Sequence, residues 1–272
     1  MALIHIGFFS EVMGMCMSCD VILPQYSQSL IGMKTAEATG PRKVLYLLHG
    51  ASDDHTIWQR RTSIERYAAP LGLAVVMPAA HLSSYADMAH GQKFYTYISQ
   101  ELPKIMRSFF GFSDKREDNY IAGLSMGGAG CLKIGLANPD KFSAIGCFSA
   151  GANLGPRRGK GNAAPNPRFA KRQLMVYGDR KLEGTEEDTF GNAEKLVKAG
   201  GPFPRIYHAC GDQDFVLESA HATRDFFTAI EGNPFEYVYE EDPGAHTWEF
   251  WDEHIQHFLK YLNLEKTEGV RN

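Results

Sequence analysis

Ser125 stands in the run Gly123-Leu124-Ser125-Met126-Gly127, which fits Gly-x-Ser-x-Gly. A serine hydroxyl is a weak nucleophile and needs a base within hydrogen-bond reach. His246 suits that task because imidazole titrates near neutrality. It follows Asp242-Pro243-Gly244-Ala245, a turn-forming stretch late in the chain. A carboxylate must orient the ring and stabilise its cation. Two candidates share one loop, Asp212 and Asp214. Asp214 is the expected member, because Phe215 would cover its surroundings. Asp212, beside Gly211, is the alternative and is expected to cap the turn. The order Ser, Asp, His along the chain points to acyl transfer through a serine.

Such a serine needs a tight turn between a buried strand and a helix, with glycines on either side to let neighbouring chain pass. The local pattern supplies one. Tyr120–Ala122 reads as a strand end, and small residues lead from Met126 into a helical stretch closed at Asn138-Pro139. The helix start would aim N–H groups at charge forming on the substrate. The Met126 N–H and the Ala51 N–H, in the loop His49-Gly50-Ala51, are the expected oxyanion donors. His49 is expected to hold that loop.

The rest of the chain alternates strands with helices. Strands are expected at Ala2–Phe9, Met15–Leu23, Lys43–Leu48, Leu73–Met77, Phe142–Phe148, Arg205–Cys210 and Phe235–Tyr239. The first two suit an antiparallel edge pair. Continuous apolar runs such as Val44–Leu48 suit strands buried on both faces of a parallel sheet. Helices are expected at Trp58–Ala68, from Ile98 through Phe110, at Glu218–Ile230, and at the end of the chain, where Trp248, Trp251, Ile255, Phe258, Leu259 and Leu262 share a face. This is an α/β chain whose ligand site lies outside the carboxyl ends of its strands. That rule singles out the loops after Leu48, Ala122, Cys210 and Tyr239, which carry His49-Gly50, Ser125, Asp212/Asp214 and His246.

With 272 residues, 44% hydrophobic, and no linker or repeat, one domain over 1–272 is expected, with an insertion over 151–204. That insertion carries Arg157, Arg158, Lys160, Arg168, Lys171 and Arg172, then Asp179, Glu183, Glu186, Glu187 and Asp188. A lid or side wall above the sheet is the expectation. Gly155–Lys160 is one residue short of a phosphate loop and no strand feeds it. A net charge of −4 argues against nucleic acid, and no stretch approaches the length of a membrane span. The expected partner is a small-molecule ester, with self-association left open. Five cysteines, an odd number, suit reduced thiols in the cytoplasm. Cys16 and Cys19 have Cys-x-x-Cys spacing, but no second pair or nearby histidine completes a metal site. His5 and His208 read as strand residues, while His221 lies on the preceding helix and His254 and His257 as outward positions of the last. No metal is expected.

The residues resemble a family. Leu47–Asp54 with Trp58 and Arg61–Tyr67, Phe94–Ile98 before Glu101-Leu102-Pro103, the elbow Gly123–Gly128, Cys210–Phe215 and Gly244–Trp251 are similar to the putative-esterase branch of the α/β hydrolases. That branch includes tributyrin esterases, esterase D or S-formylglutathione hydrolases, and feruloyl and acetylxylan esterases. The likeness covers nearly the whole chain, is weakest over 151–204, and is closest to the tributyrin-esterase group. It implies an α/β-hydrolase fold, Ser125, Asp214 and His246 as the triad, and cofactor-free hydrolysis of short acyl esters, including acetylated sugars such as acetylxylan. It further implies an acyl pocket shaped by Ala51, Trp58, Leu124 and the loop His81–Met88, which contains Tyr85. S-formylglutathione hydrolysis and acyl transfer to an alcohol are the alternatives.

Overall fold

A computed structural model describes residues 1–36, 40–152 and 167–264. Eight strands form one sheet: β1 (Ala2–Ser10), β2 (Met15–Leu23), β3 (Val44–Leu48), β4 (Ala74–Pro78), β5 (Asn119–Leu124), β6 (Ala144–Phe148), β7 (Arg205–Gly211) and β8 (Val238–Asp242). Their spatial order is β1-β2-β4-β3-β5-β6-β7-β8. Strands β4 through β8 of that order pair in parallel, while β1 pairs antiparallel with β2 and β2 with β4. Every residue of β3, β4, β5 and β6 is buried. This is why their sequences are continuous apolar runs rather than alternating ones. The edge strand β1 is mostly exposed. This is the α/β-hydrolase architecture.

Helices cover both faces: α1 (Ile57–Arg61), α2 (Ile64–Ala68), α3 (Phe94–Thr96), α4 (Leu102–Phe110), α5 (Met126–Ala137), α6 (Pro167–Tyr177), α7 (Thr189–Ala199), α8 (Leu217–Thr228) and α9 (Trp248–Tyr261). A π-helical turn, Tyr97–Glu101, joins α3 to α4. Two apolar clusters sit on opposite faces of the sheet. One gathers Val44, Tyr46, Ile121, Ile134 and Ile145. The other gathers Leu45, Leu47, Trp58, Phe148, Trp251 and Phe258. Burying each such side chain contributes about 1.5–3 kcal/mol.

Several expectations need correction. The helix expected over Trp58–Ala68 is split at Thr62-Ser63, where the Thr62 hydroxyl donates to the Trp58 carbonyl at 2.6 Å and accepts from Ile64 N–H at 3.2 Å. Such a side chain competes with the helical ladder. The last strand starts at Val238, not Phe235, because Asn233 holds a turn, its side chain accepting from Tyr237 N–H at 2.7 Å. His254 is fully buried rather than outward. Cys16 is exposed and Cys19 buried, since odd spacing on a strand sends the two thiols to opposite faces. All five cysteines are free.

Within the segment expected to be an insertion, α7 lies against α5 as a crossover helix beside the sheet. Its anchor is Lys133 of α5, whose ammonium donates to both Glu187 oxygens at 3.1 and 2.9 Å and to the Ser84 carbonyl at 2.9 Å. Asp188 caps α7, accepting from Gly191 N–H at 3.0 Å. The end of α6 packs Val176 and Tyr177 against Ala86. Arg157, Arg158, Lys160 and the Gly155–Lys160 run, like the tail from Glu265, lie outside the described residues.

Lys133 and Glu187 are each only 2% exposed at the side chain. Removing one partner of such a pair strands a buried charge, at a cost of about 3–5 kcal/mol. Glu187→Ala is expected to lower unfolding free energy by that amount in urea titration. The double variant Lys133→Met, Glu187→Leu is expected to recover most of it.

Candidate active site

Strand β5 ends at Leu124 and α5 begins at Met126, so Ser125 alone makes the turn. Its backbone sits at φ 51°, ψ −117°, a conformation that costs of order 1–3 kcal/mol for a residue with a Cβ. Ser125 N–H donates to the Phe148 carbonyl at 2.8 Å, which pins the turn to β6. The turn needs Gly127. A Cβ there would meet the Leu48 and His49 carbonyl oxygens at 2.6 and 2.7 Å.

Three side chains from three loops meet here. His246 Nε2 lies 2.9 Å from Ser125 Oγ. His246 Nδ1 lies 3.0 and 2.9 Å from the two Asp214 oxygens. The Asp214 carboxylate is fully buried, and the His246 ring is 18% exposed. Burial works to raise the Asp214 pKa. Hydrogen bonds from His246, Val216 N–H and the Ser149 hydroxyl, with the His246 charge, outweigh it and hold the carboxyl below its ordinary range.

Asp212 does not reach His246. Its Oδ1 accepts from Gly244 N–H at 3.1 Å, tying the loop of β7 to the loop that carries the histidine. Phe215 does not cover Asp214 as expected. It is 79% exposed, and its ring lies 4.4 Å from that of His246. The cover comes from residues the sequence did not single out for it. Ser149, fully buried at φ 46°, accepts from Trp251 Nε1–H at 2.8 Å, and the Trp251 ring stands edge-on to His246 at 5.0 Å. The only sequence signal for Ser149 was its place just after β6, the strand beside the nucleophile's.

The oxyanion loop is fixed by His49. Its Nε2 accepts from Ala80 N–H at 3.0 Å, so its Nδ1–H donates to the Gly50 carbonyl at 2.7 Å. Burial lowers the His49 pKa, which keeps the ring neutral for those two bonds. Met126 is the first residue of α5, so no helical carbonyl meets its N–H. Among the described residues, Ala51 N–H donates to no backbone carbonyl.

The expected acyl-pocket residues fare differently. Trp58 is 1% exposed, donates from Nε1 to the Leu48 carbonyl at 3.0 Å and packs on Trp248 and Phe148. Leu124 is 1% exposed in the same cluster. Tyr85 is fully buried, with its hydroxyl donating to the His49 carbonyl at 2.9 Å. These three are framework rather than pocket wall, because their surfaces are spent on protein contacts. His81 is exposed at φ 48°, its ring set edge-on to Phe94 at 6.0 Å. Ala51 is half-buried in its loop.

The constellation can strip a proton from a hydroxyl, store it on an imidazole and return it to a leaving group. Known proteins are similar to this chain over most of its length. Residues 10–262 match the family described as Putative esterase. An acetyl esterase of Caldicellulosiruptor saccharolyticus is 30% identical over 269 residues, 97% of this chain and 98% of its own. Two Staphylococcus aureus structures are 34% identical, each covering 96% of this chain and 98% of theirs. One is the substrate-bound, fluorophosphonate-binding serine hydrolase F, with a TM-score of 0.79. The other is the S-formylglutathione hydrolase apoenzyme, with a TM-score of 0.78.

Because the folded state depresses the Asp214 pKa, it binds fewer protons there than the unfolded chain does. The stabilisation is present above the unfolded value, about 3.9, and is lost as pH falls through the folded one. Denaturant titrations of the wild type and Asp214→Asn are expected to show the wild type more stable above about pH 5. The gap should narrow below about pH 4.

Proposed function

The chain belongs to the putative-esterase family and is a carboxylic ester hydrolase, and on that premise we propose that it cleaves short acyl esters, acetyl esters above all, through an acyl-serine intermediate. The 2.9 Å contact between His246 Nε2 and Ser125 Oγ carries this reading. Ser125 Oγ attacks the ester carbonyl while His246 takes its proton. Asp214 holds the ring with Nε2 toward the serine and stabilises the imidazolium. The oxyanion is received by Met126 N–H and Ala51 N–H, each such donor supplying about 3 kcal/mol. His246 then protonates the leaving alcohol. Water attacks the acyl-enzyme with the same imidazole as base, and the acid leaves.

The acetyl preference is supported by the 30% identical acetyl esterase. Acetylated carbohydrates such as acetylxylan are the proposed substrates. A second reading, hydrolysis of S-formylglutathione, draws on the 34% identical hydrolase of that thioester. The same triad serves both, because a thiolate leaves as readily as an alkoxide protonated by His246. The five free thiols support a reducing compartment such as the cytoplasm.

Rates on p-nitrophenyl acetate, butyrate and octanoate, an acetylated xylo-oligosaccharide and S-formylglutathione separate these readings. The expected result is the highest kcat/KM on acetyl esters, falling with acyl length. Dominant turnover of the thioester would transfer the assignment to the second reading. Ser125→Ala is expected to lower kcat by roughly 10⁴-fold or more without loss of fold, checked by turnover and circular dichroism.

A further inference from the structure

A second cluster of chemistry-bearing side chains lies on β8 and α9, the elements on either side of the His246 loop. His254 and His257 stand three apart on α9 and so share a face of the helix. Glu240 of β8 faces them. His257 Nδ1 is 2.8 Å from Glu240 Oε2, and His254 Nδ1 is 3.5 Å from the same oxygen. One ligand atom from each of the three residues lies within 4.8 Å of the others. Ligands at about 2.0–2.1 Å from a tetrahedral ion stand roughly 3.3 Å apart, so little movement separates this arrangement from a coordination sphere. Glu240 and His257 are about a third exposed, which leaves an entry path.

The protons of this cluster do not balance. The Tyr207 hydroxyl is 2.5 Å from Glu240 Oε2 and 2.9 Å from His254 Nδ1. It has one proton, and beside a carboxylate it gives that proton to Glu240. His254 must then carry its own proton on Nδ1 to meet the phenol oxygen. That leaves Nε2 a bare lone pair, buried without a hydrogen-bond partner and 3.5 Å from the Asp242 carboxylate. The opposite tautomer satisfies Asp242 but sets two lone pairs against each other at Tyr207 and His254. A neutral imidazole cannot serve both sides. A second ring proton resolves the conflict, and so does a metal ion on Nδ1 in place of the Tyr207 contact there. The ion fixes the ring proton on Nε2, which then donates toward Asp242, the carboxylate–histidine–metal arrangement that steadies metal ligands.

We propose that Glu240, His254 and His257 bind one divalent transition-metal ion of the zinc class, with Asp242 as the outer carboxylate, and that the ion braces α9 on β8. Two imidazoles and a carboxylate favour zinc, cobalt, nickel or copper over magnesium or calcium. Solvent completes the sphere on the exposed side, and Tyr207 keeps its bond to Glu240. The role is structural, because the chemistry at Ser125 requires no metal.

Metal-free, tag-free protein is titrated with Zn²⁺ by calorimetry and with Co²⁺ by visible absorption. One ion per chain is expected, with four-coordinate cobalt bands and a rise in Tm. His257→Ala and Glu240→Gln are each expected to weaken binding by at least about tenfold. His221→Ala removes a half-exposed imidazole paired with Glu241 outside the cluster, and should leave the affinity unchanged. Absence of saturable binding to the wild type overturns the proposal. So does binding that survives both His257→Ala and Glu240→Gln, since the ion would then sit elsewhere.

Discussion

Two backbone contacts, each too close for a side chain, hold this molecule's chemistry together. At the first, Gly127 in the opening turn of α5 lies against the carbonyls of Leu48 and His49. At the second, Gly211 at the end of β7 lies against Gly244, where a Cβ would meet the carbonyl oxygen at 2.3 Å. The first brings the Ala51 loop to the nucleophile turn. The second brings the Asp214 loop to the His246 loop. Parallel strands deliver all four loops to one edge of the sheet, but strand spacing alone leaves them about 5 Å apart at their roots. Removing two side chains lets the loops close that distance.

Once the loops touch, the site is held mainly by bonds that are not themselves catalytic. Asp212 accepts from Gly244 N–H, so the loop carrying the base cannot drift from the loop carrying its carboxylate. His49 and Tyr85 fix the oxyanion loop from beneath, one through its ring nitrogens and the other through its hydroxyl. Ser149 and Trp251 do the same below Asp214. His49, Tyr85, Ser149 and Trp251 are buried, so their bonds form where water cannot compete. The strain at Ser125 is borne by this surrounding set, with its N–H held by Phe148.

The amino-acid sequence revealed the backbone of this arrangement better than its walls. Continuous apolar runs marked β3, β4 and β6, because burial on both faces leaves no polar alternation to confuse the period. Ser125 and His246 were legible because a nucleophile turn and a Pro-Gly loop need particular residue types. The resemblance and the Phe215 argument both point to Asp214, but only the cover expected from Phe215 fails: Phe215 is exposed, and the carboxylate is covered from the β6 side by Ser149. The pocket expectations failed at Trp58, Leu124 and Tyr85 for a common cause. An aromatic or aliphatic residue near a site in sequence has the same composition signal whether it faces substrate or core. Only three-dimensional packing distinguishes the two. The helix over Trp58–Ala68 broke at Thr62 because a hydroxyl can capture a carbonyl that the ladder would otherwise use.

Helix α9 shows how one element can serve two sets of constraints through its periodicity. Phe250, Trp251, Ile255 and Phe258 bury against the sheet and set the height of the helix. Trp251 then reaches Ser149 and stands edge-on to His246, so the packing depth of α9 also sets the wall behind the base. One turn further on, His254 and His257 turn toward β8 and meet Glu240. Displacement of α9 by an ångström would therefore be felt at both ends, as a gap beneath Asp214 and as a broken polar cluster on β8. A buried polar cluster is a poor source of net stability but is intolerant of wrong geometry. Its place on this helix suits a device that fixes position, because apolar packing alone permits small slides that a set of directional bonds does not.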